Sequence, residues 1–265
     1  MHNFKVIESK DNQKVKLISS LKLRKNREKH KLVLIEGLRA IKQVLETNMK
    51  INILAFSESD IVSNKEYMDI FLAYESISIV IKTSVFDNIT ETVNTQGIAA
   101  IVEMPEYRLD CLFSQDRSRL VVFDRIQDPG NAGTLIRTAD AAGFDAILYT
   151  KGTVDLFSSK VNRSAMGLNL SVPLIEISVN DIENLKSKGF VIYSTTLDNY
   201  SLIYDSVKFA DKTVVILGNE ANGISEDLLS LSDEKIYIPI YGKAESLNVG
   251  IAGAIIMYES IKQKG

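Results

Sequence analysis

Two α/β domains are what this sequence predicts, and three observations lead there. The chain has 265 residues, beyond the usual size of a single hydrophobic core. Short uninterrupted apolar runs alternate with stretches whose apolar residues recur at helical spacing. The alternation is interrupted once, between Pro105 and Ser118, by a polar stretch without periodicity. The expected boundaries are therefore a domain over 1–104, a linker over 105–118 and a second domain over 119–265.

In the first domain Val15, Ile18 and Leu21, with lysines between them, predict an amphipathic helix from about Asn12 to Leu23. Arg24–Lys31 is too polar for a core and reads as a second short helix or a basic loop. Leu32–Ile35 is a buried-strand run broken by Gly37. Leu38, Ile41 and Leu45 then form one apolar helix face ending near Asn48. Ile51–Phe56, Ile77–Ile81 and Ile98–Val102 predict strands, separated by helical stretches around Lys65–Tyr74 and Ser84–Val93. The second domain begins with strand Leu120–Phe123 and helix Gly133–Ala142. It continues with strand Ala146–Tyr149, helix Ser159–Met166, strand Val172–Ile177 and helix Asn180–Lys188. Strands Phe190–Ser194 and Thr213–Leu217, a short helix after Ile224, strand Ile236–Ile240 and helix Leu247–Lys262 complete it. Several strands are apolar throughout, as expected where helices cover both faces of a sheet.

Composition excludes several classes. The single cysteine, Cys111, cannot form a disulfide within the chain, and with only His2 and His30 beside it a structural Cys/His metal site is nearly excluded. No apolar run reaches the roughly 18 residues of a membrane span, and the start lacks the layout of a signal peptide, so a cytoplasmic protein is expected. There is no G-x-G-x-x-G after a strand and no G-x-x-x-x-G-K-[ST] loop, which removes the common nucleotide fingerprints. The net charge of −3 hides an asymmetry: residues 1–50 hold thirteen Lys or Arg against five Asp or Glu, leaving −11 for the remainder. Eight of those basic residues fall between Lys14 and Lys31, opposed only by Glu28. Such a patch suits a polyanion whose counterions it displaces, and equally suits a solvated helix face.

Three segments depart from ordinary element-building residues, each just after the end of a predicted strand, where open α/β sheets place ligands. In Phe123–Gly143, Asp128-Pro129-Gly130 makes a turn, Asn131 stands where it could cap a helix starting near Gly133, and Arg137 lies on that helix. A helix start with a guanidinium further along can hold a phosphate; a capped helix with one surface arginine is the plainer reading. In Val214–Ser225, Gly218 and Gly223 bracket Asn219, Glu220 and Asn222, and a turn capped by Ser225 is the structural alternative. In Ile236–Ile255, Pro239 ends or bends the strand, and a loop through Gly242 leads to Ser246, Leu247 and Asn248 at the head of a small-residue helix.

In this order the three segments resemble the signature of the SpoU (TrmH-like) branch of the SPOUT RNA methyltransferases. Asn131-x-Gly133-x-x-x-Arg137 resembles its first motif and Gly218-x-Glu220-x-x-Gly223 its second. Ile238-Pro239 through Ser246-Leu247-Asn248-Val249 resembles its third. The stretch LVLIEGLRAI (Leu32–Ile41) is similar to the small substrate-binding domain of such enzymes, whose fold is like that of certain RNA-binding ribosomal proteins.

The resemblance implies a catalytic domain with a C-terminal trefoil knot, a homodimer with its active site near the subunit interface, and S-adenosylmethionine as methyl donor. It implies a donor-binding set of Leu217, Gly218, Asn219, Glu220, Gly223, Ile238, Pro239, Ile240, Ser246, Leu247 and Asn248. Arg137, Asn131, Glu220, Ser246 and Asn248 form the implied catalytic set. A guanidinium stays protonated, so Arg137 suits phosphate anchoring and hydroxyl orientation better than a general base, and the proton acceptor is left open. Lys22, Arg24, Lys25, Arg27 and Arg39 are the expected RNA contacts. The expected activity is ribose 2′-O-methylation of RNA, with ribosomal RNA favoured by the separate N-terminal domain. Transfer RNA as the substrate is the near alternative, and a catalytically silent RNA-binding or assembly factor is the distant one.

Overall fold

Continuous runs of Leu, Ile and Val become strands buried on both faces, and the computed structural model shows what covers each face. It describes residues 4–47, 49–90, 96–198 and 200–262. The chain forms two compact units: Met1–Pro105 with Phe157–Ser171, and Glu106–Leu156 with Val172–Gly265.

The first unit holds strands β1 (Val6–Ile7), β2 (Leu32–Glu36), β3 (Ile51–Ser57), β4 (Ser78–Ile81) and β5 (Ile98–Glu103) in the order β1-β4-β3-β5-β2. β1, β4 and β3 run parallel, while β5 is antiparallel to both β3 and β2. Its helices are α1 (Gln13–Ser20), α2 (Arg24–His30), α3 (Leu38–Leu45), α4 (Glu58–Ser63), α5 (Lys65–Ala73) and α6 (Thr83–Ile89). Side chains alternate across a strand. Leu32 and Leu34 join the core with Val15, Ile18 and Phe86 of α1 and α6. Val33 and Ile35 face the other way, onto Ile41 and Val44 of α3 and Tyr67 of α5. The basic stretch after α1 is helical and ends at Lys31 in the left-handed conformation. Two short elements, β1 and α4, have too little periodicity to be read from the sequence. The expected end of one helix at Asn48 and the 91–93 part of Ser84–Val93 lie outside the described residues.

The helix expected at Ser159–Met166 forms as α8 (Ser159–Ala165), but it belongs to this first unit and not with the second alternation of strands. The reason is polar as well as apolar. Buried Asn162 donates to the carbonyl of Leu34 in β2 at 3.2 Å, Asn169 donates to Asn162, and Leu170 enters the core beside Phe56.

In the second unit β6 (Ser118–Phe123), β7 (Ala146–Thr150), β8 (Leu174–Ile177), β9 (Val191–Thr195), β10 (Leu202–Ile203), β11 (Lys212–Leu217) and β12 (Glu234–Tyr237) form one parallel sheet. Its order is β10-β12-β9-β11-β6-β7-β8. Helices α7 (Pro129–Ala141), α9 (Val179–Ser187), α10 (Glu226–Ser230) and α11 (Val249–Lys262) complete the unit. Ile182 and Leu185 of α9 and Leu228 of α10 pack on Leu120, Val122, Val214 and Ile216. The stretch expected as a linker is not free: Leu112 is buried in this same core, and Tyr107, Leu109 and Phe113 lie against it. No helix among the described residues is long and apolar enough to cross a membrane.

Candidate active site

β6 and β11 end side by side, with Phe123 opposite Leu217 and the N–H of Asp124 donating to the Leu217 carbonyl at 2.9 Å. Both chains leave the sheet there, and their next residues meet. Asp128 caps α7, accepting from the Asn131 N–H at 2.7 Å, and Pro129 follows at the first helical position. The helix therefore begins four residues earlier than the sequence pattern suggested, and the capping role expected of Asn131 falls to Asp128. That frees the Asn131 side chain. Its amide donates to Glu220 Oε1 at 3.0 Å, and its oxygen accepts from Asn248 Nδ2 at 2.8 Å. Glu220 also receives the N–H groups of Gln127 and Asp128, each at 3.2 Å. Asn248 turns its own oxygen to the N–H groups of Gly250 and Ile251 at 2.9 and 3.3 Å, so it caps α11, and the helix starts at Val249 with no part played by Ser246. One residue from each of the three motifs is thus tied into a single chain of hydrogen bonds.

Burial raises the Glu220 carboxyl, but the Asn131 amide and the surrounding backbone N–H groups outweigh it and hold the group below the usual carboxylate range. Asn219 has a different task. Its side chain accepts from the N–H groups of Ala221 and Asn222 and donates to the Arg125 carbonyl at 2.8 Å, so it shapes the loop from within. Gly218 and Gly223 close that loop. A Cβ on Gly218 would lie 2.4 Å from the Gly223 carbonyl carbon, and Gly223 has φ of 65°.

Two residues beneath this loop escaped the sequence reading. Asp124 is 1% exposed and accepts from Ser225 N at 2.7 Å, Thr150 Oγ1 at 2.9 Å and the Arg125 guanidinium at 3.1 and 3.2 Å. Burial opposes its ionisation, yet these donors, Arg125 foremost, keep its pKa below the ordinary value. Arg125 adopts φ of 57° and donates to the Gly223 carbonyl at 3.1 Å. An acid directly after a buried strand, in a pair Asp-Arg, was the available signal.

The third loop is open. β12 ends at Tyr237, earlier than expected, because Pro239 has no N–H to continue a ladder. Ile238, Pro239 and Ile240 are half-buried, and Ser246, Leu247 and Asn248 are exposed. Among the described residues, 240–247 make no hydrogen bond, so their N–H and C=O groups are available to a ligand beyond the ends of β11 and β12. A run of free backbone donors and acceptors beside apolar Leu217, Ile238 and Leu247 fits the amino-acid and base portions of S-adenosylmethionine. Arg137 stands apart from this assembly. It is exposed on α7 six residues after Asn131, roughly 9 Å further along the helix axis, and no side chain among the described residues pairs with it.

The expected RNA contacts divide. Lys25 is exposed and has no partner among the described residues, and Arg24 bonds Glu28 at 2.7 Å on the surface. Lys22 donates to the carbonyls of Asn88 and Thr90 at 3.0 Å each. Arg27 corrects the expectation: it is 4% exposed, and Nη1 donates to the carbonyls of Leu21 and Lys22 at 2.6 and 2.8 Å. It satisfies the end of α1 from inside and has no face for a phosphate. Arg39 is exposed at the start of α3.

Comparison with known proteins agrees with this geometry. Residues 118–258 match the SpoU rRNA Methylase family, and residues 12–100 match an MRM3-like substrate binding domain. The chain is 37% identical over 257 residues to a 23S rRNA (guanosine(2553)-2′-O)-methyltransferase of Bacillus subtilis, covering 96% of this chain and 98% of that one. An AdoMet-bound rRNA methyltransferase from Sinorhizobium meliloti superposes with a TM-score of 0.84 at 29% identity, over 97% of both chains. The methyltransferase AviRb from Streptomyces viridochromogenes, in complex with AdoMet, gives 0.81 at 26% identity over 95% and 98%. The family match spans more than half of the sequence and contains all three converging loops, so this chain belongs to the SpoU rRNA methylase family.

Proposed function

We propose that this chain methylates a ribose 2′-hydroxyl of ribosomal RNA, taking the methyl group from S-adenosylmethionine. The observation that carries the reading is the bonded set Glu220–Asn131–Asn248, which joins the loops after β6, β11 and β12 into one wall beside an open backbone run. Two of the relatives that match both halves of the chain, substrate-binding and catalytic, are named for ribosomal RNA alone, while others of similar extent are named for transfer and ribosomal RNA alike. The 37% identity to the Bacillus relative favours ribosomal RNA. Guanosine is the nucleoside that the Bacillus relative suggests.

When bound, S-adenosylmethionine supplies a methyl group on a cationic sulfur. The chain's part is to place a weak nucleophile in line with it and exclude other attackers. Leu217, Gly218, Ile238, Pro239, Ile240 and Leu247 would hold the donor by backbone and apolar contact. Asn219 and Gly223 would keep the second loop in shape, and Ser246 would line the donor loop. Asn131 and Glu220 would orient polar groups at the reacting centre. Arg137, exposed to solvent, would bind the phosphate next to the target ribose and orient its hydroxyl.

The working form in this reading is a homodimer. α11 presents Ile251 (53% exposed) and Tyr258 (48%) to solvent, and exposed Leu202 and Ile203 of β10 lie in the same unit. An apolar face of this kind needs a cover, and a second copy supplies one. The reading also gives the loops after β11 and β12 the trefoil knot of the family and places the enzyme in the cytoplasm.

Mapping of 2′-O-methyl positions in total RNA with and without the protein tests the proposal. One ribosomal-RNA ribose should lose its methyl group in the protein's absence. A loss confined to transfer RNA would redirect the substrate. An unchanged map, together with no heat of binding from S-adenosylmethionine, would leave an assembly factor.

A further inference from the structure

In the first unit a recess of about 210 Å³ is lined by Glu36, Arg39, Ala40, Gln96, Arg163 and Met166. Its two arginines come from opposite halves of the sequence. Arg39 lies within the stretch matching the substrate-binding domain, whereas Arg163 lies within the stretch matching the methylase family. The fold nevertheless assigns Arg163 to the first unit, because α8 is anchored there. Asn162, one residue before Arg163, is buried and bonded to the Leu34 carbonyl. After the helix, Met166 takes φ of 56° and Gly167 φ of 84°, and the turn lies so close to α3 that a Cβ on Gly167 would meet the Ala40 carbonyl at 3.2 Å. That packing sets Arg163 beside the first turn of α3, where Arg39 projects.

The chemistry of the recess is specific. Arg39 makes no hydrogen bond or ion pair among the described residues. Arg163 remains 39% exposed, and the buried carboxylate of Glu36 lies at 4.0 Å from it, a distance that orients without consuming the guanidinium. Ala40 and Met166 supply the apolar part of the lining. Two guanidiniums beside an apolar stretch suit a group with an anionic end and a flat, weakly polar body. The convex backbone of a duplex presents phosphates to a recess but no base, while an unpaired nucleotide can place both.

We propose that this recess is a subsite for one unpaired nucleotide of the RNA substrate, its phosphate held by Arg39 and Arg163 and its base seated against Ala40 and Met166. The proposal rests on the RNA reading above and deepens it. The subsite combines a residue of the substrate-binding stretch with one that the chain supplies from its methylase stretch. A substrate-binding stretch cut from the rest of the sequence would lack half of it.

The test uses the full chain and three probes: a short single-stranded RNA of mixed sequence, the same strand annealed to its complement, and adenosine monophosphate as competitor. Arg39→Gln and Arg163→Gln should each weaken single-strand binding about tenfold. Each should also lower the slope of log affinity against log salt by about 0.7. Arg163→Lys should keep the slope and recover only part of the affinity, since an ammonium lacks the two-pronged geometry. S-adenosylmethionine affinity should not move, and Arg39→Gln should leave the melting temperature unchanged. If the wild type binds RNA and both glutamine variants match it in affinity and slope, the subsite is overturned while the RNA reading stands. Equal losses on duplex and single strand would overturn the unpaired nucleotide, and displacement of the strand by adenosine monophosphate alone would make this a free-nucleotide site. A wild type that binds none of the RNA probes would overturn the RNA reading, and the subsite with it.

Discussion

Asn131 and Glu220, 89 residues apart in sequence, are joined by a side-chain hydrogen bond of 3.0 Å. Asn131 can make this bond because Asp128 has taken over the capping of α7. Asn131→Ala should therefore leave the helix intact and disconnect two loops. Methyl transfer should fall by about a hundredfold, in the range seen when an oriented polar group is removed from a reacting centre. Loss of activity without any change in melting temperature, by steady-state assay and thermal unfolding, is the expected pairing; a large drop in stability would make Asn131 a structural residue.

Arg137 is exposed and has no side-chain partner among the described residues, so its removal isolates its chemistry. Arg137→Ala should shift stability by no more than about 0.5 kcal/mol, as is usual for exposed sites. Turnover should fall by orders of magnitude while calorimetry with S-adenosylmethionine stays unchanged. Retained turnover would remove Arg137 from the mechanism.

Asp124 and Glu220 both have pKa values held below their ordinary range in the folded chain. The sign follows from linkage: the stabilisation is complete above the unfolded-state values and disappears as pH falls through the lower folded-state ones. Near neutrality, Asp124→Asn should cost about 1–3 kcal/mol, because a buried amide replaces the carboxylate that accepts from Ser225, Thr150 and the partly exposed Arg125 guanidinium. The gap in melting temperature between variant and wild type should stay constant from neutral to mildly acid pH and narrow only in strong acid. A gap that widened on acidification would contradict the direction of the Asp124 shift.

Gly253 lies where α11 meets α7 and the end of β11. A Cβ there would be 2.4 Å from Leu135 Cδ2 and 2.7 Å from Leu217 Cδ1, both on fully buried side chains. Gly253→Ala should destabilise by about 1–3 kcal/mol through overpacking. It should also weaken donor binding, since Leu217 directly precedes Gly218. Unfolding in denaturant and calorimetry would measure the two effects, and an alanine variant as stable as the parent would show that the leucines have room to move.

Lys25 and Arg27, two residues apart, should behave oppositely. Lys25→Gln should lower the salt slope of RNA binding by about 0.7 to 0.9 without affecting melting. Arg27→Gln should cost about 1–3 kcal/mol by leaving the carbonyls of Leu21 and Lys22 without their buried donor. Equal effects of the two on RNA binding would restore Arg27 to the interface.

Much of this was legible in the chain itself. The uninterrupted Val, Ile and Leu runs dictated the long strands, since only a sheet covered on both faces buries such segments. Of the polar residues grouped after three of those strands, the fold brings Asn131, Glu220 and Asn248 together. What linear pattern could not reach is how polar groups divide their work. Asp128 and Asn131 are both competent caps, and only the direction in which the loop after β6 leaves the sheet decides between them. Arg24, Lys25 and Arg27 carry the same charge, yet the turn from α1 into α2 puts one inside. α8 follows a strand of the second unit in sequence and packs with the first, because Asn162 and Leu170 find their partners there. Local propensity and periodicity act within a few residues, whereas hydrogen-bond pairing and burial are settled by neighbours that become neighbours only when the chain folds.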